Sequence, residues 1–252
     1  MQGKIRTAVC WMLTESDNRT DGKKTKYIGQ SKKYRKYDPK LFDTLQECLS
    51  DLGRDVQLAD RKNVVPSAIY FPEMLTDNAK QRAIFFADFQ LIAKESDLIF
   101  FDPDNGLEVK SVKYGFKESS KYLYWNELID TFKAGHSVLL YQHFPRAKRD
   151  GFREQLFREV CDRLGIAQAI LFTTSNVLFI LIPQEKHFEH FSRCSITVDQ
   201  IWGNEIKYSC MKLEKNLILE AVYGGEMTEQ EVESVAQLLF GWWKRNHENI
   251  SG

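Results

Sequence analysis

The sequence predicts an α/β protein with a mostly parallel, Rossmann-like sheet, because short apolar segments of strand length alternate with amphipathic segments of helix length. The segments 97–101 (DLIFF) and 137–144 (SVLLYQHF) are nearly continuous apolar runs, which are typical of strands covered on both faces. The segments 169–174 and 177–183, joined at Ser175-Asn176, predict an antiparallel hairpin at one edge of the sheet. We expect right-handed crossovers between the parallel strands.

The remaining elements follow from periodicity and from residues that end helices. A helix is predicted after Asp38-Pro39, because apolar residues recur there at helical spacing until Gly53. Another predicted helix ends at Gly135. The predicted elements are a strand over 5–13, a polar loop over 15–26, a helix over 41–52, short strands over 56–58 and 68–71, and helices over 78–94, 125–133 and 152–164.

The C-terminal segment from about residue 196 differs from the rest of the chain, because its sequence shows no further alternation of strands and helices. Thr228 with Glu231 three residues later forms a capping-box pattern, which predicts a final helix. We therefore expect a Rossmann-like α/β domain over residues 1–195 and a small C-terminal appendage over residues 196–252.

Composition limits the class of protein. The chain has 252 residues, 43% of them hydrophobic, which is enough for a sizeable core. We find no apolar run of the roughly 18 residues that span a bilayer and no signal-peptide pattern, so a cytoplasmic protein without a membrane partner is expected. The five cysteines are scattered without a CxxC pair, so we expect buried thiols and no metal site built on them. The sequence leaves the oligomeric state open.

Positive charge is concentrated near the N-terminus, although the net charge is zero. Residues 1–40 contain eleven Lys or Arg and four Asp or Glu, and tyrosines are interleaved with the basic residues. Cations suit phosphates and rings suit unstacked bases, so nucleic acid is a possible partner. The basic residues assigned to substrate binding are Lys32, Lys33 and Arg35 and, in a second cluster after the predicted strand 137–144, Arg146, Lys148 and Arg149.

The loop Asp102-Pro-Asp-Asn-Gly106 is the strongest candidate for a functional site. Ligands of open α/β sheets bind outside the carboxyl ends of the strands, and this loop follows a predicted buried strand. A carboxylate held there can accept a hydrogen bond from a substrate amine or bind a cation. Asp102, Asp104 and Glu108 are the candidate catalytic acids, and Asn105 is a candidate substrate contact. Alternatively, Asp102 and Asn105 only close a turn.

The order of apolar strand, Asp-Pro-x-x, helix, strand ending LLYQH, helix and terminal hairpin, over about residues 97–183, resembles the second half of a Rossmann-type S-adenosylmethionine-dependent methyltransferase. In that family a D-P-P-Y-like motif holds the amine of the target base. The resemblance implies S-adenosylmethionine as cofactor, with Asp102 orienting the acceptor amine. It implies that Tyr141 or His143 is an acid, a base or a stacking group, and that Asp60, after a predicted strand, binds the ribose. Asp104 and Asn105 replace the second proline and the aromatic residue, and no glycine-rich loop follows the strand 5–13.

Other local patterns indicate different chemistry. Pro103-Asp104 with Glu108-Val109-Lys110 is similar to the PD-(D/E)xK nuclease motif, which predicts Mg²⁺ bound by Asp102, Asp104 and Glu108. Tyr27-Ile28-Gly29 is similar to part of a GIY-YIG nuclease signature, and the Asp102-x-Asp104 spacing resembles haloacid-dehalogenase-like phosphatases, with Thr173 or Thr174 as a second motif. A non-catalytic nucleic-acid-binding module that keeps the fold is the remaining alternative. His187 and His190 are predicted to be a surface pair without a third ligand.

Overall fold

The computed structural model describes residues 5–15, 26–51, 57–145 and 151–213. Within these residues, seven strands form one sheet and two short strands form a second. The strands are β1 (Thr7–Cys10), β2 (Ile69–Phe71), β3 (Leu98–Phe101), β4 (Gly106–Leu107), β5 (Tyr122–Leu123), β6 (Ser137–His143), β7 (Gln168–Thr173), β8 (Val177–Ile182) and β9 (Lys207–Lys212).

Seven α-helices connect these strands in the described part of the chain. They are α1 (Ser31–Tyr34), α2 (Pro39–Asp51), α3 (Gln57–Arg61), α4 (Ala79–Ala93), α5 (Trp125–Lys133), α6 (Phe152–Leu164) and α7 (Glu185–Trp202). Among the helices described, none is both long enough and apolar enough to cross a bilayer.

The large sheet is mixed, with strand order β2-β1-β3-β6-β8-β7-β9. The first four strands in this order are parallel, whereas β8, β7 and β9 are joined by antiparallel pairing. The α/β class, the parallel centre and the antiparallel edge predicted from sequence are confirmed. The hairpin β7–β8 is not the outermost element, because β8 pairs with β6 and β9 pairs with the free side of β7.

The predicted short strand over residues 56–58 is wrong, because helix α3 begins at Gln57. Only Val56 and Leu58 are apolar there, and the following Leu-Ala-Asp-Arg residues favour a helix. The start of α2 agrees with its sequence signals: Pro39 occupies the first helical position, where a proline loses no hydrogen bond. The Asp38 carboxylate accepts a hydrogen bond from the Leu41 N–H at 2.9 Å and so caps the helix.

The predicted domain boundary after residue 195 falls inside α7, and β9 joins the large sheet beyond it. Residues 196–213 therefore continue the elements packed on this sheet. Residues 214–252, including the predicted final helix at Thr228 and Glu231, lie outside the described residues.

The two faces of the large sheet are covered by different helices. Helices α4, α5 and α6 pack on one face and form the main core, in which Phe71, Phe89 and Phe101 are in ring contact. Helix α7 packs on the other face, where Phe191 contacts a smaller apolar cluster. Alternation along a strand explains this, because neighbouring residues point to opposite faces.

A buried ion pair links α4 to α5 under the small sheet. Arg82 is fully buried, and its Nη2 donates to the Glu127 carboxylate at 2.7 Å, while Nε donates to the other oxygen of the same carboxylate. Arg82 also donates to the backbone carbonyls of Ser119 and Tyr122, at 2.9 and 2.6 Å. Glu127 further accepts the Tyr124 N–H at 2.9 Å. Each polar nitrogen of Arg82 therefore has a protein acceptor.

The loop before β5, which Arg82 contacts at Ser119, is also held by the carboxylate of Asp77, a residue that follows β2. Asp77 accepts hydrogen bonds from the backbone N–H groups of Ser120 and Glu118, at 2.7 and 2.8 Å. Burial acts to raise the pKa of Asp77, but these hydrogen bonds outweigh it and the pKa is lowered. The loop before β5 is thus fixed by two ionised groups.

Candidate functional site

The candidate site lies at the carboxyl edge of the parallel strands β1, β3 and β6. Cys10, Phe101 and Leu140 are aligned across these strands, so Asp102 lies one residue beyond the aligned ends. The chain passes from β1 to β2 on one side and then places β3 on the other side of β1. The crevice between β1 and β3 is therefore a topological switch point, the usual ligand site of such sheets.

The acidic loop is anchored to both neighbouring elements by backbone hydrogen bonds. The Asp102 N–H donates to the Cys10 carbonyl at 3.1 Å, which extends the pairing with β1. The Asn105 N–H donates to the Lys121 carbonyl at 2.9 Å, and the His143 N–H donates to the Asn105 carbonyl at 3.3 Å. Asn105 therefore positions the loop through its backbone, which agrees with the alternative that it closes a turn.

Gln142 locks the end of the loop against β6. Its Oε1 accepts the Leu107 N–H at 2.9 Å, and its Nε2 donates to the carbonyls of Asn105 and His143 at 3.2 and 2.9 Å. Gly106 has φ +106°, and a Cβ added there would lie 2.4 Å from the Gln142 side chain. Only glycine fits this approach. Gln142 is not among the residues predicted from the sequence, although a polar side chain within an apolar strand is a signal.

Asp102 is partly buried and no described residue donates a hydrogen bond or forms an ion pair with its carboxyl group. Burial, assisted by the nearby Asp104 charge, raises the pKa of Asp102 to about 7. The Asp102 side chain is partly exposed, and its carboxyl oxygens reach solvent at the edge of the sheet. Asp102 is therefore available to a ligand and titrates near neutral pH.

Asp104 is exposed and joins the loops that follow β1 and β3. Its Oδ2 accepts a hydrogen bond from the Thr14 hydroxyl at 2.7 Å across the switch-point crevice. Thr14 was not selected from the sequence, because its contact with Asp104 spans 90 residues and no local pattern indicates it. The bond fixes one side of the crevice beside Asp102.

Tyr141 and His143 form a pair on β6, next to the acids. The Tyr141 hydroxyl lies 3.0 Å from His143 Nε2, and the two rings are 5.2 Å apart. Burial and the charges of Asp102 and Asp104 raise the pKa of Tyr141 to about 12. Tyr141 thus stays protonated and shares the electrostatic environment of Asp102, while His143 is exposed at the rim.

Glu108 does not join the two aspartates. Its carboxylate accepts the Trp125 N–H at 3.1 Å and caps the start of α5. In the described residues, no three His, Cys, Asp or Glu side chains come together as a possible metal site. The three-acid Mg²⁺ group considered as an alternative is not assembled there, because the turn at Gly106 directs the chain into the small sheet.

Asp60 was predicted to follow a strand. This prediction is wrong, because Asp60 lies within helix α3. The strand beside β1 on the side away from β3 is β2, and the acidic residue after it is the exposed Glu73. A signal was present, because IYF-Pro-Glu repeats the arrangement of an apolar strand followed by a proline and an acid. The strand over 68–71 was predicted, but Glu73 after it was not selected, because Asp60 was assigned to the ribose instead.

The basic residues are divided between described and undescribed segments. Lys32 is exposed on α1, Lys33 pairs with Glu205 at 3.1 Å, and Arg35 forms two 2.7 Å hydrogen bonds with the Asp43 carboxylate. Two of these three cations are therefore partly neutralised. The second cluster, Arg146, Lys148 and Arg149, lies outside the described residues.

The turn after β1 is held by a buried side chain and by a backbone hydrogen bond to the loop after β2. Met12 adopts φ +49° and its side chain is buried in the main core. The Leu13 carbonyl accepts the Leu75 N–H at 2.7 Å, which ties this turn to the loop after β2. On the opposite face of β1, the Trp11 ring lies 6.1 Å from Tyr70 and 6.3 Å from Phe100. Trp11 therefore packs between aromatic residues of β2 and β3.

The two histidines on α7 differ from the predicted surface pair. His187 is mostly buried, and its Nδ1 lies 2.9 Å from the Ser137 hydroxyl, while Nε2 is 3.9 Å from Asp97. Burial, with the nearby Lys186, lowers the pKa of His187. Ser137 is fully buried and also accepts the Gln184 N–H, so this Ser-His-Asp group fixes α7 to the sheet and has no accessible nucleophile.

Comparisons with known proteins give no family assignment. No protein-family model, no curated protein and no solved structure matches this chain. The function must therefore be inferred from the site itself.

Proposed function

We propose that this protein is a methyltransferase-like enzyme that binds S-adenosylmethionine and methylates an amino group of a nucleobase at the switch-point crevice. The observation that supports this proposal is the Asp102 carboxyl group, which is partly buried and has no partner among the described residues. A partly buried carboxyl group of this kind can accept hydrogen bonds from a ligand in place of water.

An amino group on an aromatic base suits this carboxyl group. The N–H groups of an exocyclic amine donate hydrogen bonds, and an ionised Asp102 can accept them. The nitrogen becomes cationic when it gains a methyl group, and an ionised carboxylate with a pKa of about 7 can then accept the proton that this nitrogen releases. The ring of Tyr141 lies in the same region, and aromatic rings bind bases by stacking.

The topology supports the same proposal. A parallel core with β3 and β6 beside β1, followed by a hairpin whose second strand inserts next to β6, fits the Rossmann-like arrangement that the sequence resembles. Asp102 follows the strand adjacent to β1, at the position of the Asp-Pro motif in that resemblance.

The residues around β1 and β2 fit the cofactor in part. Glu73 follows β2, where an acidic residue can bind ribose hydroxyls. S-adenosylmethionine supplies the methyl group when bound. The protein's own contribution is to orient the acceptor nitrogen at Asp102 and to exclude water behind Tyr141.

The proposal is tested by calorimetry with S-adenosylmethionine and by transfer of a labelled methyl group to single-stranded DNA and RNA. The Asp102→Asn variant should bind S-adenosylmethionine within a few-fold of the unmodified protein and lose methyl transfer by on the order of 100-fold or more. Asp130→Asn, an exposed acid-to-amide change on α5, is the matched control and should retain transfer. Absence of cofactor binding by the unmodified protein would contradict the proposal.

One observation favours a second candidate, a non-catalytic nucleic-acid-binding module. The chain has no glycine-rich loop after β1, and Thr14 closes part of the crevice by bonding to Asp104. This candidate predicts retention of single-stranded oligonucleotides without binding of S-adenosylmethionine. The calorimetric result therefore separates the two.

A further inference from the structure

Helix α4 has an apolar surface on the side that faces away from the protein. Its buried residues, among them Arg82, Phe85 and Phe89, define the inner face. Ile84 and Leu91 nevertheless have 61% and 75% of their surface exposed. A helix that is apolar on both sides is normally covered on both sides.

The exposed residues form one stripe opposite the buried face. With 3.6 residues per turn, positions 80, 84, 87, 91 and 95 fall within a narrow sector, about 180° from the centre of the buried sector. This stripe is about 22 Å long at 1.5 Å per residue. Its members, which all lie on the surface, are Lys80, Ile84, Ala87, Leu91 and, just beyond the helix, Glu95, whose carboxylate also accepts a hydrogen bond from Arg6 Nη1 at 3.3 Å.

The stripe is complementary to itself when two copies run antiparallel. A two-fold axis between Ala87 and Asp88 brings Ile84 opposite the partner's Leu91 and Lys80 opposite the partner's Glu95. Both contacts occur twice, as two-fold symmetry requires. The small Ala87 at the centre permits close approach of the helices. In a parallel arrangement Lys80 would face the partner's Lys80, which is unfavourable.

A neighbouring loop contacts the first turn of α4, at a position about 120° around the helix from the centre of the stripe. A Cβ at Gly115 would lie 2.7 Å from the Ala79 side chain, so the loop touches the first turn of the helix. The next residue, Phe116, is 65% exposed. It lies at the end of α4 that would meet the C-terminal end of the partner's α4.

We propose that the protein forms a two-fold symmetric homodimer through antiparallel packing of α4, with Ile84 and Leu91 at the centre of the interface. The inference is independent of the proposed function, because α4 lies on the face of the sheet opposite α7 and its outer surface is not part of the Asp102 site.

Light scattering after size-exclusion chromatography and sedimentation velocity test the dimer on the full chain. The unmodified protein should be a dimer, and Leu91→Glu should weaken the dimer by on the order of 30-fold or more, as for a central interface residue. Gln90→Glu adds the same charge at the neighbouring exposed position, about 100° around the helix, and should leave the dimer intact. Circular dichroism should show that both variants remain folded.

The register is tested by charge exchange. Lys80→Glu and Glu95→Lys should each weaken the dimer, and the double variant should restore it, because the antiparallel pairing is then re-formed with reversed signs. An Ala87→Cys variant, made with the exposed Cys194 and Cys210 replaced by serine, should form a disulfide-linked dimer on oxidation. A monomeric unmodified protein, or a dimer that Leu91→Glu leaves unchanged, would overturn the proposal.

Discussion

Arg82 is fully buried and Asp102 is partly buried, and the surroundings of the two residues differ. Arg82 donates to a carboxylate and to two carbonyls, and three aromatic rings surround its guanidinium group. Asp102 has no hydrogen-bond or ion-pair partner among the described residues and is close to a second acid. Breaking the first arrangement leaves a buried charge without its counterion, whereas at the second the partial burial of Asp102 beside another acid disfavours its ionised form. Mutations at the two sites should therefore change stability in opposite directions.

The largest expected effect is at the partnered site. Arg82→Met keeps the apolar length of the side chain but leaves Glu127 buried without its cation, so we expect the free energy of unfolding to fall by about 3–5 kcal/mol. Urea denaturation followed by circular dichroism measures this change. Arg35→Met, which removes one partner of the exposed pair with Asp43, is the control and should cost less than about 1 kcal/mol. If both variants lost a similar free energy of unfolding, the buried pair of Arg82 would contribute no more to stability than the exposed pair of Arg35.

Mutation of Asp102 should raise the free energy of unfolding, whereas mutation of Arg82 should lower it. The pKa of Asp102 is about 7 in the folded protein and about 4 in the unfolded chain. The folded state therefore binds the additional proton between these values, and the free energy of unfolding should fall as pH rises from about 4 to about 7. Asp102→Asn removes this loss and should stabilise the protein by up to about 4 kcal/mol above pH 7, with little change at pH 4.

Urea titrations at several pH values measure this effect. Asp104→Asn is the matched control: it removes the neighbouring charge that raises the pKa of Asp102, so the fall in stability should move to lower pH. If Asp102→Asn gave the same pH profile as the unmodified protein, Asp102 would not be a buried, titrating acid.

A smaller effect is expected where the acidic loop meets β6. Gly106→Ala would force a Cβ against Gln142, whereas Gly135→Ala places a Cβ in open space at a similar φ of +96°. Both changes strain the backbone, but Gly106→Ala should cost about 2 kcal/mol more because of the added clash. Thermal unfolding of the two variants measures the difference. Equal losses would show that Gln142 does not hold the loop.

The sequence predicted the parts of the fold that depend on local patterns. The apolar runs of β3 and β6 and the hairpin at Ser175-Asn176 were identified because burial on both faces and turn residues are visible locally. Strand β9 was missed, since KYSCMK is half-exposed and has lysines at both ends. Its place in the sheet depends on pairing with β7 and not on its own composition.

The same limit applies to the candidate site. Asp102, Tyr141 and His143 were selected because they end two strands, and the parallel pairing of β3 with β6 brings those ends together. The partner of Arg82 lies 45 residues away and that of Thr14 lies 90 residues away, so neither contact has a local signal. Helical spacing alone does not reveal that an arginine such as Arg82 is buried.

The position of β8 has a consequence for how the chain acquires its structure during synthesis. This strand fills the gap between β6 and β7, yet it leaves the ribosome after both of them. Until residues 177–182 emerge, β6 and β7 each present an unpaired edge to other chains. Nascent chains that stall before this point would be the species most prone to aggregate, and correct assembly depends on prompt delivery of one six-residue segment.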